Sequence, residues 1–128
     1  AGCVYVLDGQ NHQILQKLSS PNRPDANAQR SMSFGFHTAV SPDGQWLVIF
    51  SRHADHTLIC HVFRYNARYD QYRLYPLLGP NGHVQLDAWS VWNDISDVCV
   101  DNYGSVYTRD PNRPRLVIAL VPDTPATA

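Results

Sequence analysis

The chain has 128 residues, 44% of them hydrophobic, 11% aromatic and 16% charged, which is material for one domain with a real core rather than a disordered segment. A formal net charge of −1 lacks the basic surplus that a phosphate backbone demands, so no nucleic acid partner is expected. No apolar run reaches the ~18–20 residues of a membrane-crossing helix, and no transmembrane segment is expected.

Within the charged set the bias is sharper. All eleven acids are Asp, and Lys17 is the only lysine against nine arginines. Glu and Lys are good helix formers, whereas Asp bonds nearby backbone and prefers caps and turns. The composition therefore argues against helices and removes Glu from every list of general bases.

In chain order, Cys3–Leu7 (CVYVL) is β-rich and closes at Asp8-Gly9. Ile14, Leu15 and Leu18 have helical spacing, but Asp-Gly between two apolar runs is a strong hairpin signal, so residues 1–18 read as an N-terminal hairpin. Residues 19–32 form a polar loop that is long for a structureless connection. Residues 33–121 read as the main sheet, with strands at Ser33–Val40, Gln45–Ser51, Thr57–Tyr65 and Gln71–Leu77. A turn at Gly79–Gly82 follows, then a short helical turn within Val84–Ile95 capped by Asp87. Strands at Asp97–Asp101, Ser105–Arg109 and Leu116–Val121 complete the set, and residues 122–128 are a tail.

Three of these segments carry a likeness. Ala39–Val48 (AVSPDGQWLV) resembles the SPDG-containing repeat of TolB-type β-propellers, and Ile95–Tyr107 (ISDVCVDNYGSVY) is similar to the blade of NHL and gluconolactonase-type propellers. Val4–Gly9 (VYVLDG) looks like the outer-strand run of a third blade. A propeller ring needs at least four blades of about 40 residues, and this chain is too short for that. The resemblance therefore implies an all-β fold of antiparallel, meander-connected hairpins. These would form two or three propeller-like blades, open or sandwich-like, not a closed ring. Propellers host many unrelated activities, so the likeness implies architecture and not function.

Cys3, Cys60 and Cys99 make an odd number. Cys60 and Cys99 lie within strand patterns, where a thiol is often a small buried hydrophobe; in an oxidising compartment the two are candidates for a disulfide. Ala1-Gly2-Cys3 resembles the end of a bacterial lipoprotein signal, which implies a lipid anchor at Cys3. It equally resembles a start trimmed by signal peptidase, and the remaining alternative is an ordinary cytosolic start. Export to a bacterial periplasm is the expectation.

The strongest enzyme-like cluster is Ser51-Arg52-His53-Ala54-Asp55-His56, which partly resembles the HxHxDH metal motif of the metallo-β-lactamase fold. Ser51 stands where that motif has its first histidine, and zinc needs three or four ligands. A polar hairpin loop explains the same residues, so no metal and no cofactor is expected. No Gly-x-Ser-x-Gly elbow or phosphate loop is present, and no catalytic residue is assigned. Tyr65, Tyr69, Tyr72 and Tyr75 are interleaved with Arg64, Arg68 and Arg73; Trp, Tyr and Arg are the residues enriched at interface hot spots. An ordinary sheet surface with cross-strand Arg–Tyr pairs accounts for them equally well.

The expected function is that of a non-catalytic, periplasmic protein-binding module. Within that class, an immunity or inhibitor protein that plugs the cleft of a secreted cell-wall-degrading effector is favoured. The partner-binding candidates are Arg52, His53, Asp55 and His56 on one loop and Trp89, Ser90, Trp92 and Asn93 on another. The alternatives are a small metal-dependent hydrolase using the His53, Asp55 and His56 loop, or a piece of a larger scaffolding propeller.

Overall fold

A computed structural model describes residues 2–19, 32–52, 58–75, 77–78, 85–86, 88–91, 97–109 and 117–120. Every regular element among them is a strand. These are β1 (Cys3–Leu7), β2 (Ile14–Ser19), β3 (Met32–Val40), β4 (Trp46–Arg52), β5 (Leu58–Asn66) and β6 (Gln71–Leu74). They are followed by β7 (Leu77–Leu78), β8 (Gln85–Leu86), β9 (Ala88–Val91), β10 (Val98–Val100), β11 (Val106–Arg109) and β12 (Val117–Leu120). Among the described residues all pairings are antiparallel, and no sheet closes into a barrel. The composition argues against helices and the resemblance implies an all-β fold of open, blade-like antiparallel sheets; that is the architecture observed.

The central sheet runs β3-β4-β5-β6, with β9 also pairing with β5. β6 lies along Phe63–Asn66 and β9 along Leu58–His61, so the two share the fourth strand position end to end. Two expectations are corrected here. The strand foreseen to Leu77 stops at Leu74: Tyr75 still donates its N–H to Val62 O at 2.8 Å, but Pro76 has no N–H to continue the ladder. In place of the helical turn capped by Asp87 foreseen within Val84–Ile95, Gln85–Leu86 and Ala88–Val91 are the strands β8 and β9, and 84, 87 and 92–95 lie outside the described residues. The open edge of β5 at Leu58–His61 offers hydrogen bonds that outweigh a local capping preference. The foreseen loop interior, 20–31, and the foreseen tail, 122–128, lie outside the described residues, as does 121 at the end of the last foreseen strand.

Strand alternation sends side chains of the central sheet to both faces. Trp46, Val48, Phe50, Leu58, Cys60 and Val62 face one way and join Val100 and Val106 of the β10-β11-β12 sheet. Leu47, Ile49 and Phe63 face the other way and join Phe34 and Leu18, with Val4 and Val6 of the β1-β2 sheet against them. A small sheet thus covers each face, which is why β4 is a continuous apolar run rather than an alternating one. Val48, Ile49, Phe50, Leu58 and Val62 are 0% exposed, and each such side chain stabilises the fold by about 1.5–3 kcal/mol.

Trp46 seals the first interface. Its Nε1–H donates to Asn102 O at 3.1 Å, and Asn102 Oδ1 accepts the Asp43 N–H at 3.0 Å. The turn of the SPDG segment is thereby bonded to the turn of the Ile95–Tyr107 segment. Gly104 lies against the indole at φ 84°, and a Cβ there would stand 2.9 Å from three ring carbons. Tyr75 meets the ring edge-on at 5.0 Å, and the Arg64 guanidinium lies 4.9 Å from it.

The three cysteines are free, so the foreseen Cys60–Cys99 disulfide is corrected. Val100 turns into the core beside Cys60, and the alternation of β10 points Cys99 outward. Burial pushes the Cys60 thiol far up from its ordinary value. Two predictions follow from this packing. Gly104→Ala destabilises by about 3 kcal/mol or more through strain and overpacking, while Gly9→Ala, with open space around it, changes denaturant stability by less than about 0.5 kcal/mol. In the reduced folded protein a thiol reagent modifies Cys99, and Cys60 only on unfolding; equal labelling rates would contradict this burial pattern.

Candidate functional site

The stack of sheets has two unlike ends. At one end lie the connections Asp8–Gln13, Ser41–Gln45 and Ala67–Asp70, together with Asp101–Ser105. At the other lie the end of β4, the start of β5 and the end of β9. Register places Arg52 opposite Leu58, and Leu58 opposite Val91. Arg52, Leu58 and Val91 therefore stand together at one corner of the sheet.

Of the residues foreseen to bind a partner, Arg52 belongs to this corner. Trp89 and Ser90 lie on β9, paired with Cys60 and Ile59. His53, Asp55, His56, Trp92 and Asn93 lie outside the described residues. Among the described residues no group of three His, Cys or Asp side chains is placed to hold a metal ion.

Phe36 is the residue of this corner that sequence reasoning missed. Between the pairs Met32–Arg52 and His37–Phe50 the β3-β4 ladder is irregular, with residues 33–36 opposite Ser51 alone. Gly35 takes φ 95° in that bulge, a conformation that costs glycine nothing. The bulge re-aims the two flanking rings: Phe34 is buried, while Phe36 is 40% exposed. The Arg52 guanidinium lies 4.5 Å from the Phe36 ring, and His37 meets that ring edge-on at 4.6 Å. The Phe-Gly-Phe spelling was the available signal.

A serine and a histidine do meet. Ser51 Oγ and His61 Nε2 are 3.1 Å apart, and the His61 ring lies 5.7 Å from Phe34. Yet Ser51 is 0% exposed and His61 2%, so a substrate does not reach the hydroxyl. The bond joins β4 to β5 within the core.

The turn-bearing end owes its order to Asp and Asn side chains. Asp8 Oδ1 accepts the Gln10 N–H at 2.8 Å, Asn66 Oδ1 the Arg68 N–H at 3.0 Å, and Asp101 Oδ1 the Tyr103 N–H at 2.9 Å. Asp43 Oδ1 accepts from Ser41 Oγ at 2.6 Å and Gln45 N at 3.0 Å, which holds its carboxyl below the usual range. For Asp101, burial acts upward, but bonds from Ser105 N, Tyr103 N and Tyr107 Oη outweigh it and the carboxyl is lowered. The same carboxylate raises the Tyr107 phenol.

No protein-family model, curated protein or solved structure matches the chain.

Because the folded values of Asp43 and Asp101 are depressed, the stability they supply is complete above the unfolded carboxyl value of about 3.9. It is lost as pH falls through their lower folded values. Thermal melts from about pH 6 to about pH 2 are expected to show that acid limb, and Asp101→Asn to flatten it; an unchanged limb would contradict the assignment.

Proposed function

We propose that the chain is a non-catalytic protein-binding module of the bacterial periplasm. In its specific form it is an inhibitor or immunity protein that blocks the cleft of a secreted cell-wall-degrading effector. The observation that carries this reading is the corner where β4, β5 and β9 end in register beside the exposed Phe36–Arg52 stack. A sheet covered on both faces fixes the strand ends at this corner, so the residues there are presented without an ordering cost at each encounter. An aromatic ring under a guanidinium is the pairing that dominates interface energies when desolvated. An inserted loop needs such an anchor at its base, and a small rigid sheet supplies it.

The test is titration of the purified chain into peptidoglycan-degrading enzymes encoded beside it, reading both calorimetric binding and residual enzyme activity. Inhibition is expected. Phe36→Ala and Arg52→Ala are each expected to weaken it by about 30-fold. Tyr103→Ala at the opposite end, where Tyr103 is 83% exposed, leaves it unchanged. Absence of inhibition, equal sensitivity to Tyr103→Ala, or stoichiometric zinc in the purified protein would sink the reading.

A further inference from the structure

The two sheet–sheet interfaces end differently at the turn-bearing end. On one side of the central sheet the space is closed by Trp46 against Gly104. On the other side the β1-β2 sheet diverges from β5 and β6, and a groove of about 400 Å³ opens between them. That volume lies within the range of about 300–1,000 Å³ typical of small-molecule sites.

Side-chain hydrogen bonds brace the groove. The Gln16 carboxamide reaches across it as a strand would: Nε2–H donates to Tyr72 O at 2.8 Å, and Oε1 accepts the Tyr72 N–H at 2.8 Å. The Tyr72 hydroxyl donates to Gly44 O, and the Tyr65 hydroxyl to Asp70 Oδ1. Tyr65 and Tyr72 meet edge-to-face at 5.7 Å. Asp70 is held at φ 52°, a left-handed conformation that a short polar side chain tolerates at modest cost.

One wall is apolar, with Leu7 47% and Leu15 61% exposed. The other is polar: Asp70, Gln45 and Gln71 line it beside the Tyr65 ring. The Asp70 carboxylate has a second oxygen, and the two carboxamides stand at exposed positions. Among the described residues of the lining Asp70 is the only charged side chain, with no arginine or lysine beside it. An anion is repelled by that carboxylate. A bare hydrocarbon would strip water from three polar side chains and give nothing back. A molecule with hydroxyls on one edge and C–H faces on the other suits both walls.

We propose that this groove binds a neutral saccharide, its hydroxyls taken by Asp70, Gln45 and Gln71 and its C–H face set against Tyr65 and the leucines. The site stands at the opposite end from the protein-docking corner and does not depend on it.

The experiment is amide NMR of the whole chain titrated separately with maltotriose, cellotriose and chitotriose, and with choline chloride and inorganic phosphate as contrasting arms. At least one trisaccharide is expected to give saturable shifts at Gly44, Gln71 and Tyr72 with a Kd of about 1 mM or tighter. Gln71→Ala and Asp70→Asn, which keeps a residue that accepts the left-handed conformation, are each expected to weaken binding about five-fold at unchanged Tm. Phe36→Ala leaves it intact. No saturation with any of the three sugars, shifts elsewhere on the chain, choline or phosphate binding in their place, or affinity unmoved by both variants overturns the proposal.

Discussion

The contact between the Trp46 indole and the bare backbone of Gly104 is the constraint on which the arrangement of the sheets depends. An indole is the largest apolar side chain, and here it bridges the central sheet and the β10-β11-β12 sheet without a side chain between them. Because the glycine lies at φ 84°, the turn that carries it also brings Asn102 to the indole N–H and to the Asp43 N–H. One residue thus sets both the separation of two layers and the alignment of their turns.

The absence of Glu has a structural meaning in the same light. A carboxylate that accepts the N–H two residues on closes a small ring through one methylene, as Asp8, Asp43 and Asp101 do. An additional methylene moves the oxygen past that position. In a chain of hairpins each tight turn calls for Asp or Asn, while the helix faces that would use Glu do not occur among the described residues. Asn66 fills the same role without charge, so turn geometry rather than charge is what these positions share.

The two ends of the stack differ in build. The layers that bury the central sheet from both sides leave its long edges and ends as the places where polar groups meet solvent. At one end, register gathers strand termini around Arg52 and Phe36. At the other, the unequal closure of two interfaces leaves an opening beside Tyr65. The core polar pair Ser51–His61 belongs to neither, since burial keeps it from reactants.

What the residues determined unaided was local. The hairpin at Asp8-Gly9, the turn at Ser41–Gly44, the strands that follow it and the Asp101–Gly104 turn were all legible, because turn chemistry and alternation act over a few residues. Arg52 and the β9 residues Trp89 and Ser90 could be singled out by type, but not the bulge that exposes Phe36 beside Arg52. Tertiary structure decided whatever depends on which segments share an edge or a face. The open half of β5 made a strand of Ala88–Val91 where a capped turn was locally reasonable. Facing registers sent Cys60 inward and Cys99 outward, and the splay of β1-β2 from β6 opened a groove that no motif spells. Pairing between distant strands is chosen by the energy of whole buried faces, and no short stretch of chain carries that sum.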